Sequence, residues 1–327
     1  MTPRTLPILV GLLAATWQPI SAETGGPQLA LRRQPAEGLP GRTASIRVDV
    51  ELVMVPVTVT DPRGRVVSGL EHGHFRVLEE KTPQTIVSFS AVDAPVSIGL
   101  LFDTSGSMRD KIGKAREATK TFFDVLNPGD EAFLMTFSNR PTLRASFTSD
   151  FAGLQNRLLP DAPKGKTALI DSVYLALDRI RSAGNARRAL LVISDGMDNH
   201  SRYLEQDLMN VAVEADTQIY TIGIHDRPTM SAVAERMAVQ RAFNLLDEMA
   251  KRTGGIHIMI RDYGDLRDAM QKIGIALHNQ YLIGYRPAAK APDGKWRKIT
   301  VKVDPPQGLP RLSVYARRGY YGPGDGW

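Results

Sequence analysis

The chain has 327 residues, 43% of them hydrophobic, which is enough for two domains with apolar cores. It has no cysteine, which excludes disulfides, thiol catalysis and lipid attachment to a thiol. The net charge of +6 permits weak attraction to anionic surfaces, but no aromatic-basic motif accompanies it, so we predict no nucleic-acid partner.

The first residues have the features of an export signal. Arg4 precedes an apolar stretch from Leu6 to about Trp17, and small residues follow as far as Ala22. The apolar stretch is too short for a membrane helix. We therefore predict a cleavable signal peptide over 1–22, an extracytoplasmic location (periplasm, cell surface or secreted), and no stable membrane span after cleavage. An uncleaved anchor or a buried helix is the alternative.

The segment that follows the signal changes from linker to strand patterns. Residues 23–45 are rich in Gly, Pro and Arg without any period, which predicts a flexible linker. From Ile46 apolar and polar residues alternate, and further short strands are expected near 75–79 and 85–91. Three or four strands without helices are too few to be stable alone. We therefore predict that 46–93 is the N-terminal half of a β-sandwich.

Val96 opens a region in which strand and helix patterns alternate. Strands are predicted at 96–102, 131–137, 188–194, 218–224 and 256–260, and helices at 108–126, 168–182, 202–216 and 265–278. Near-continuous apolar strands of this kind need helices on both faces of a mostly parallel sheet. The predicted fold class of 94–278 is therefore α/β and doubly wound. Residues 227–243 interrupt the alternation and predict an insertion or an extra helix.

After His278 the period returns to two. Strands are predicted at 281–285, 299–303 and 312–316. Asp293-Gly294 predicts a hairpin turn between the first two of them. We predict that 279–321 is the C-terminal half of the same sandwich, with the α/β domain inserted between the halves, and that 322–327 is a frayed tail.

The turn between the first α/β strand and the first helix carries the candidate chemistry. Asp103, Ser105 and Ser107 are spaced two apart at the carboxyl end of a buried strand, where open α/β sheets place their sites. Oxygen ligands at this spacing in a turn can face one point. A carboxylate with two hydroxyls suits a hard cation such as Mg²⁺ or Mn²⁺ better than zinc. We therefore predict a divalent-cation site at this turn.

With these residues in place, the chain from 96 to 278 resembles a von Willebrand factor type A domain with a metal-ion-dependent adhesion site. The family's first motif, Asp-x-Ser-x-Ser, matches at 103–107. Its threonine comes from the loop before the third major helix, where Gly165-Lys-Thr167 fits. Its late aspartate follows a hydrophobic strand, as Asp195 does in Ser-Asp-Gly.

The resemblance implies a division of labour among five residues. Ser105 and Ser107 would bind the cation directly, and Thr167 directly or through water. Asp103 and Asp195 would act largely through water and by neutralising charge. The implied cofactor is Mg²⁺ (or Mn²⁺ or Ca²⁺). The implied function is non-enzymatic binding of a protein whose Asp or Glu completes the coordination.

Two further carboxylates could support the cation site, and the flanking segments carry a further resemblance. Asp198 and Asp171 are candidates for support of the ligands from behind, the alternatives being a loop cap and a helix-surface charge. The segments Phe75–Glu80, Gln280–Pro287 and Arg317–Tyr321 resemble the VWFA-related proteins described from Acidobacteria, which are exported and have no established activity.

The sequence fits other kinds of functional site less well than it fits a divalent-cation site. Gly165-Lys166-Thr167 imitates the end of a phosphate-binding loop, but Pro160 stands where the first glycine is required. No Gly-x-Ser-x-Gly elbow is present, and we predict no catalytic residue. His72 and His74 could bind a transition metal from one strand face, a polar loop being the alternative.

Two other functions stay open. The first is an assembly or scaffold subunit of an envelope complex in which the metal is structural. The second is a metal-assisted hydrolase, for which the sequence offers no evident general base besides the ligands themselves.

Overall fold

The computed structural model describes residues 52–158, 162–224, 233–287 and 293–322. The predicted signal peptide and linker, almost all of the strand predicted from Ile46 to Leu52, the start of the predicted interruption at 227–243 and all but one residue of the tail lie outside them. Within the described residues, no helix is both long enough and apolar enough to cross a membrane.

The elements follow the predicted order of strands, alternating strands and helices, and strands again. The strands are β1 (Val53–Thr60), β2 (Phe75–Glu79), β3 (Thr82–Gln84), β4 (Ile86–Val92), β5 (Val96–Asp103), β6 (Glu131–Phe137), β7 (Pro141–Thr148), β8 (Arg187–Ser194), β9 (Gln218–Ile224), β10 (His257–Ile260), β11 (Gln280–Tyr285), β12 (Trp296–Val303), β13 (Ser313–Ala316) and β14 (Gly319–Tyr321). The helices are α1 (Ile112–Phe123), α2 (Phe151–Arg157), α3 (Leu169–Ile180), α4 (Glu205–Glu214), α5 (Val233–Thr253) and α6 (Leu266–His278), with 3₁₀ turns at His72–His74, Gly106–Met108 and Tyr263–Asp265.

The central sheet has the strand order β10-β9-β8-β5-β6-β7. All its pairings are parallel except the one between β6 and the edge strand β7. All eight residues of β5 are buried, because helices cover both faces of the sheet. α1 and α6 pack on one face, and α3, α4 and α5 pack on the other. The predicted doubly wound α/β fold is confirmed.

The two flanks contribute strands to the same antiparallel sheets. One sheet has the order β13-β1-β11-β4 and the other the order β14-β12-β2-β3. Val57 on β1 pairs with Tyr281 on β11 and, on its other side, with Ala316 on β13. Both sheets contribute side chains to one buried apolar cluster, which makes them a β-sandwich. The predicted domain boundaries stay a prediction.

A buried glutamine joins the sandwich to the central sheet. Gln280 opens β11 two residues after the end of α6, and its amide nitrogen lies 2.9 Å from both Gln218 Oε1 and Tyr220 Oη. The same nitrogen lies 3.2 Å from Thr58 Oγ1, and Arg187 donates a hydrogen bond of 2.9 Å to Gln280 Oε1. Strands of the central sheet and of the sandwich sheet that contains β11 therefore meet at the side chain of Gln280.

Some elements differ from the prediction. β7 and α2 were not predicted, and neither were the short strands β3 and β14. The described part of 227–243 is helical, and this helix, α5, continues to Thr253, so the extra helix is the correct alternative there. The predicted hairpin at Asp293-Gly294 is wrong, because β11 and β12 lie in different sheets.

Candidate metal centre

Parallel pairing puts the candidate loops at one edge of the central sheet. β5 and β8 are hydrogen-bonded neighbours with Phe102 opposite Ile193. Asp103 therefore ends its strand beside the point where the chain leaves β8 toward Asp195. This is the carboxyl edge, where open α/β sheets place their ligands.

The turn after β5 is organised by the carboxylate of Asp103. This side chain is fully buried, and its Oδ1 accepts a hydrogen bond of 2.8 Å from the backbone N–H of Ser105. Its Oδ2 accepts one of 2.6 Å from the hydroxyl of Ser194, at the end of β8. The hydroxyl oxygens of Ser105 and Ser107 are 3.1 Å apart. Ser105 is buried and Ser107 is exposed, so this turn reaches solvent at Ser107.

The second loop is held against the first by backbone hydrogen bonds. Gly106 donates to the carbonyl of Gly165 at 3.1 Å, and Lys164 donates to the carbonyl of Thr104 at 3.1 Å. Gly165 has a φ of +88°, and a Cβ built on it would lie 2.6 Å from Asn139 Oδ1. The position therefore needs glycine for its backbone conformation, and an added Cβ would also displace the side chain of Asn139.

Thr167 ties the second loop to the third. Its side chain is buried, and its backbone N–H donates a hydrogen bond of 2.9 Å to Asn199 Oδ1. Its carbonyl accepts hydrogen bonds of 3.0 Å from the backbone N–H groups of Asn199 and His200. The three loops are thus connected side by side.

Asp195 carries the oxygen that most needs a cation. The residue is buried, and its Oδ1 accepts a hydrogen bond of 3.2 Å from the backbone of Met197. Its Oδ2 is buried without a hydrogen-bond partner, and the ammonium of Lys111 lies 3.6 Å from it. A buried carboxylate oxygen without a hydrogen bond is costly unless a cation faces it.

The electrostatics of the two carboxylates agree with that need. Burial, and secondly the nearby charge of Asp195, raise the pKa of Asp103 to about 6, although hydrogen bonds from Ser105 and Ser194 act in the opposite direction. Two buried like charges favour a bound cation. With three hydroxyls supplied by the same loops, the residues fit a hard divalent ion.

The structure brings the loops of Asp103, Ser105, Ser107, Thr167 and Asp195 together, as a single site formed by these five residues would require. Their assignment as metal ligands stays a prediction. Within the described residues, no group of three or more His, Cys, Asp or Glu side chains could hold a metal ion. The candidate set has only two carboxylates, so its remaining donors are hydroxyls.

The two supporting candidates have other partners. Asp198 accepts hydrogen bonds from the backbone of Ile170, in the first turn of α3, and from the hydroxyl of Ser201, at 2.8 and 2.5 Å. Asp171 accepts from the backbone N–H groups of Arg202 and Tyr203. Asp198 therefore caps the helix that follows Thr167, and Asp171 fixes the chain beyond the third loop.

The histidine alternative is wrong in its geometry. His72 and His74 lie in a 3₁₀ turn and not on a strand face. Glu71 donates its backbone N–H to His74 Nδ1 at 3.0 Å, and the ring of His72 packs edge-on against Phe89. The polar loop is the correct interpretation.

Three contributors were missed by sequence reasoning. Ser194 stands in the quoted Ser-Asp-Gly motif, so its hydroxyl beside Asp103 could have been suspected. Asn199 follows four residues after Asp195, in a loop where amide side chains commonly hold backbone groups. Lys111 gave no signal, because a lysine at a helix start is normally solvated.

The region that carries the candidate loops matches a known protein family. Residues 98–197 match the family model described as von Willebrand factor type A domain. A search of curated proteins returned no match.

Three solved structures illustrate the similarity. An aerotolerance-related membrane protein from Bacteroides fragilis is 19% identical over 56% of this chain and 98% of that chain, with a TM-score of 0.45. A von Willebrand factor type A protein from Catenulispora acidiphila is 13% identical over 83% and 75%, with a TM-score of 0.47. Proximal thread matrix protein 1 from the mussel byssus, with a zinc-occupied MIDAS motif, is 16% identical over 61% and 50%, with a TM-score of 0.48.

The family model covers the strand that ends at Asp103, the loop of Thr167 and the turn at Asp195. The central sheet and its two helical layers have the architecture expected of that family. The chain therefore contains a von Willebrand factor type A domain.

Proposed function

We propose that this chain is an exported, non-enzymatic module that binds a protein partner in a divalent-cation-dependent manner. The hydroxyls of Ser105, Ser107 and Thr167 would hold the cation, and the carboxylates of Asp103 and Asp195 would neutralise its charge. When bound, the cation offers an open coordination position to an oxygen anion, here an Asp or Glu carboxylate of the partner. Mg²⁺ or Mn²⁺ suits this oxygen-only set.

One observation supports the proposal most. Two buried carboxylates lie in contiguous loops at one sheet edge, and Asp195 Oδ2 among them has no hydrogen-bond partner. A buried carboxylate oxygen to which no hydrogen bond is made is suited to binding a cation. The exposed Ser107 gives a partner access to the same point.

Calorimetric titration of the purified protein with Mg²⁺, Mn²⁺, Ca²⁺ and Zn²⁺ tests the cation site. We expect binding of a single hard cation by the wild type and loss of binding in Asp103→Ala. Asp178→Ala, which removes an exposed carboxylate from α3, is the matched control and should bind as the wild type does. Absence of divalent-cation binding by the wild type would overturn the proposal.

The partner side is tested by capture from the envelope proteins of the source organism, with Mg²⁺ and then with chelator. A partner retained only in Mg²⁺, and not by Asp103→Ala, agrees with the proposal. Retention unchanged by chelator contradicts it. A large rise in Tm with Mg²⁺ but no cation-dependent partner would instead favour a scaffold subunit whose metal is structural.

A further inference from the structure

Lys111 is a buried cation inside the candidate centre. It directly precedes α1, and its side chain is only 8% exposed. Its Nζ lies 3.6 Å from Asp195 Oδ2, the oxygen that has no hydrogen-bond partner. Lysine is rarely buried unless it is paired, because removing an ammonium from water is costly.

The position of Lys111 is fixed by the turn that carries the candidate ligands. Its backbone N–H donates a hydrogen bond of 3.0 Å to the carbonyl of Met108, and Met108 donates to the carbonyl of Ser105 at 3.1 Å. Its own carbonyl accepts a hydrogen bond of 3.1 Å from Ala115 in α1. The lysine is therefore attached by its backbone to the Ser105–Ser107 turn while its side chain reaches the loop of Asp195.

The formal charges show what this lysine changes. Asp103 and Asp195 together carry two negative charges when ionised, and Lys111 reduces the sum to one. A divalent ion would then leave the loaded centre with one net positive charge. Without the lysine, the same ion would leave the centre neutral. Charges this close and this poorly solvated interact strongly.

We propose that Lys111 sets the charge of the centre, so that it weakens cation binding and makes the loaded centre attractive to a carboxylate. This inference rests on the proposed function and deepens it. The lysine stabilises the cation-free protein by pairing with Asp195, and it repels the arriving ion. Once the ion is bound, the excess positive charge favours an anionic oxygen over water in the open position.

The neutral variants Lys111→Met and Lys111→Gln test whether Lys111 weakens cation binding. We expect both to bind Mn²⁺ and Mg²⁺ about tenfold more tightly than the wild type in calorimetry, as removal of a nearby like charge requires. We also expect a lower Tm without divalent ions and a larger rise in Tm with Mn²⁺. Lys111→Arg keeps the charge and should bind as the wild type does. So should Lys120→Met, which removes an exposed charge from α1.

Acetate, as the carboxylate probe, tests whether Lys111 makes the cation-loaded centre attractive to a carboxylate. Water proton relaxation of the Mn²⁺-saturated protein falls when acetate displaces water from the ion. We expect Lys111→Met to need several times more acetate than the wild type for the same fall, because its loaded centre has lost the excess positive charge.

The outcomes separate this inference from the proposed function. If the wild type binds divalent cations and both neutral variants bind them with equal or lower affinity, the role of Lys111 is overturned and the cation site is not. Failure of the wild type to bind divalent ions overturns both. A neutral variant that unfolds without cations but refolds in Mn²⁺ supports the inference, and one that stays unfolded in Mn²⁺ contradicts it.

Discussion

Ser194 donates a hydrogen bond of 2.6 Å to Asp103 Oδ2, so the end of β8 fixes the carboxylate at the end of β5. The same hydroxyl accepts a hydrogen bond of 2.9 Å from the backbone N–H of Gly196. One side chain therefore sets both the orientation of the first candidate aspartate and the path of the chain past the second.

Replacing Ser194 with alanine should affect stability and the candidate site together. The Ser194→Ala variant leaves a buried carboxylate oxygen with one donor fewer, which costs about 1.5–3 kcal/mol for a hydrogen bond to a charged group. Urea denaturation should show this loss in free energy of unfolding, and Mn²⁺ titration should show weaker binding. Ser182→Ala removes an exposed hydroxyl at the end of α3 and is the control, expected within about 0.5 kcal/mol of the wild type.

The middle of β5 has no room for a side chain at Gly99. A Cβ there would lie 2.4 Å from Leu190 Cδ2 and 2.5 Å from the ring of Phe133. We expect Gly99→Ala to lower the free energy of unfolding by about 1–3 kcal/mol through overpacking.

Gly113 on α1 is the matched position for that experiment. It is exposed, and a Cβ there meets nothing within 4 Å. Gly113→Ala should raise the free energy of unfolding by about 0.5–1 kcal/mol, because alanine favours the helix and restricts the unfolded chain. Equal effects of the two variants in urea denaturation would contradict the packing described for β5.

Asp171 should make part of the stability dependent on pH in the acid range. Burial opposes its ionisation, but hydrogen bonds from Tyr203 and Arg202 outweigh this and hold the pKa of its carboxyl below its ordinary value. Since the folded-state pKa is the lower one, the carboxylate stabilises the protein above about pH 4, and this stabilisation is lost as the pH falls through the folded-state pKa.

The variant Asp171→Asn isolates that contribution. In urea denaturation without divalent ions, it should be less stable than the wild type at pH 7, and the difference should shrink steadily below about pH 4. Asp178→Asn, an exposed position on the same helix, should follow the wild-type curve. A difference from the wild type that stays constant between pH 7 and pH 3 would show that the carboxylate charge of Asp171 is not responsible.

The sandwich contains a buried phenol–carboxylate contact whose loss should be measurable. Tyr285 donates a hydrogen bond of 2.7 Å to Glu79 Oε2, and Tyr320 donates to the same oxygen at 3.0 Å. Burial, together with the neighbouring Glu79, raises the pKa of Tyr285 far above its ordinary value, so its hydroxyl stays a donor. Tyr285→Phe should lower the free energy of unfolding by about 1–3 kcal/mol.

Tyr321, on β14 in the other sheet of the sandwich, provides the comparison. Its ring packs edge-on against Trp296 and is substantially exposed. Tyr321→Phe keeps that ring and should unfold in urea as the wild type does. If the Tyr285 variant is equally unaffected, the hydrogen bond to Glu79 does not stabilise the sandwich.

The central sheet was predictable because its strands are apolar on both faces. Ala189–Ile193 reads as a continuous buried run, and the predicted position of β8 agrees with the observed one within a residue. The loops of Asp103, Thr167 and Asp195 could be predicted to meet because carboxyl ends of parallel strands share an edge. Their mutual hydrogen bonds depend on loop conformations that no periodicity encodes.

The elements that were missed have weaker local signals. β7 is an edge strand whose Leu143, Ala145 and Phe147 alternate with polar residues but are only partly buried or exposed. In α5, the buried Leu245, Leu246 and Met249 have helical spacing, but Val233 and Met237 near the start of the helix are exposed, so the apolar residues there do not mark a buried face. The charge of Lys111 beside Asp195 depends on tertiary packing and could not have been predicted from the sequence.

The pairing of Val57 with Tyr281 and Ala316 has a consequence for how the chain is made. β1 leaves the ribosome before the whole α/β domain, while both of its neighbours follow after it. Until the last strands are synthesised, β1 exposes two unpaired edges, which are templates for wrong association. We therefore expect the slowest folding step to be the closure of the sandwich by its C-terminal strands.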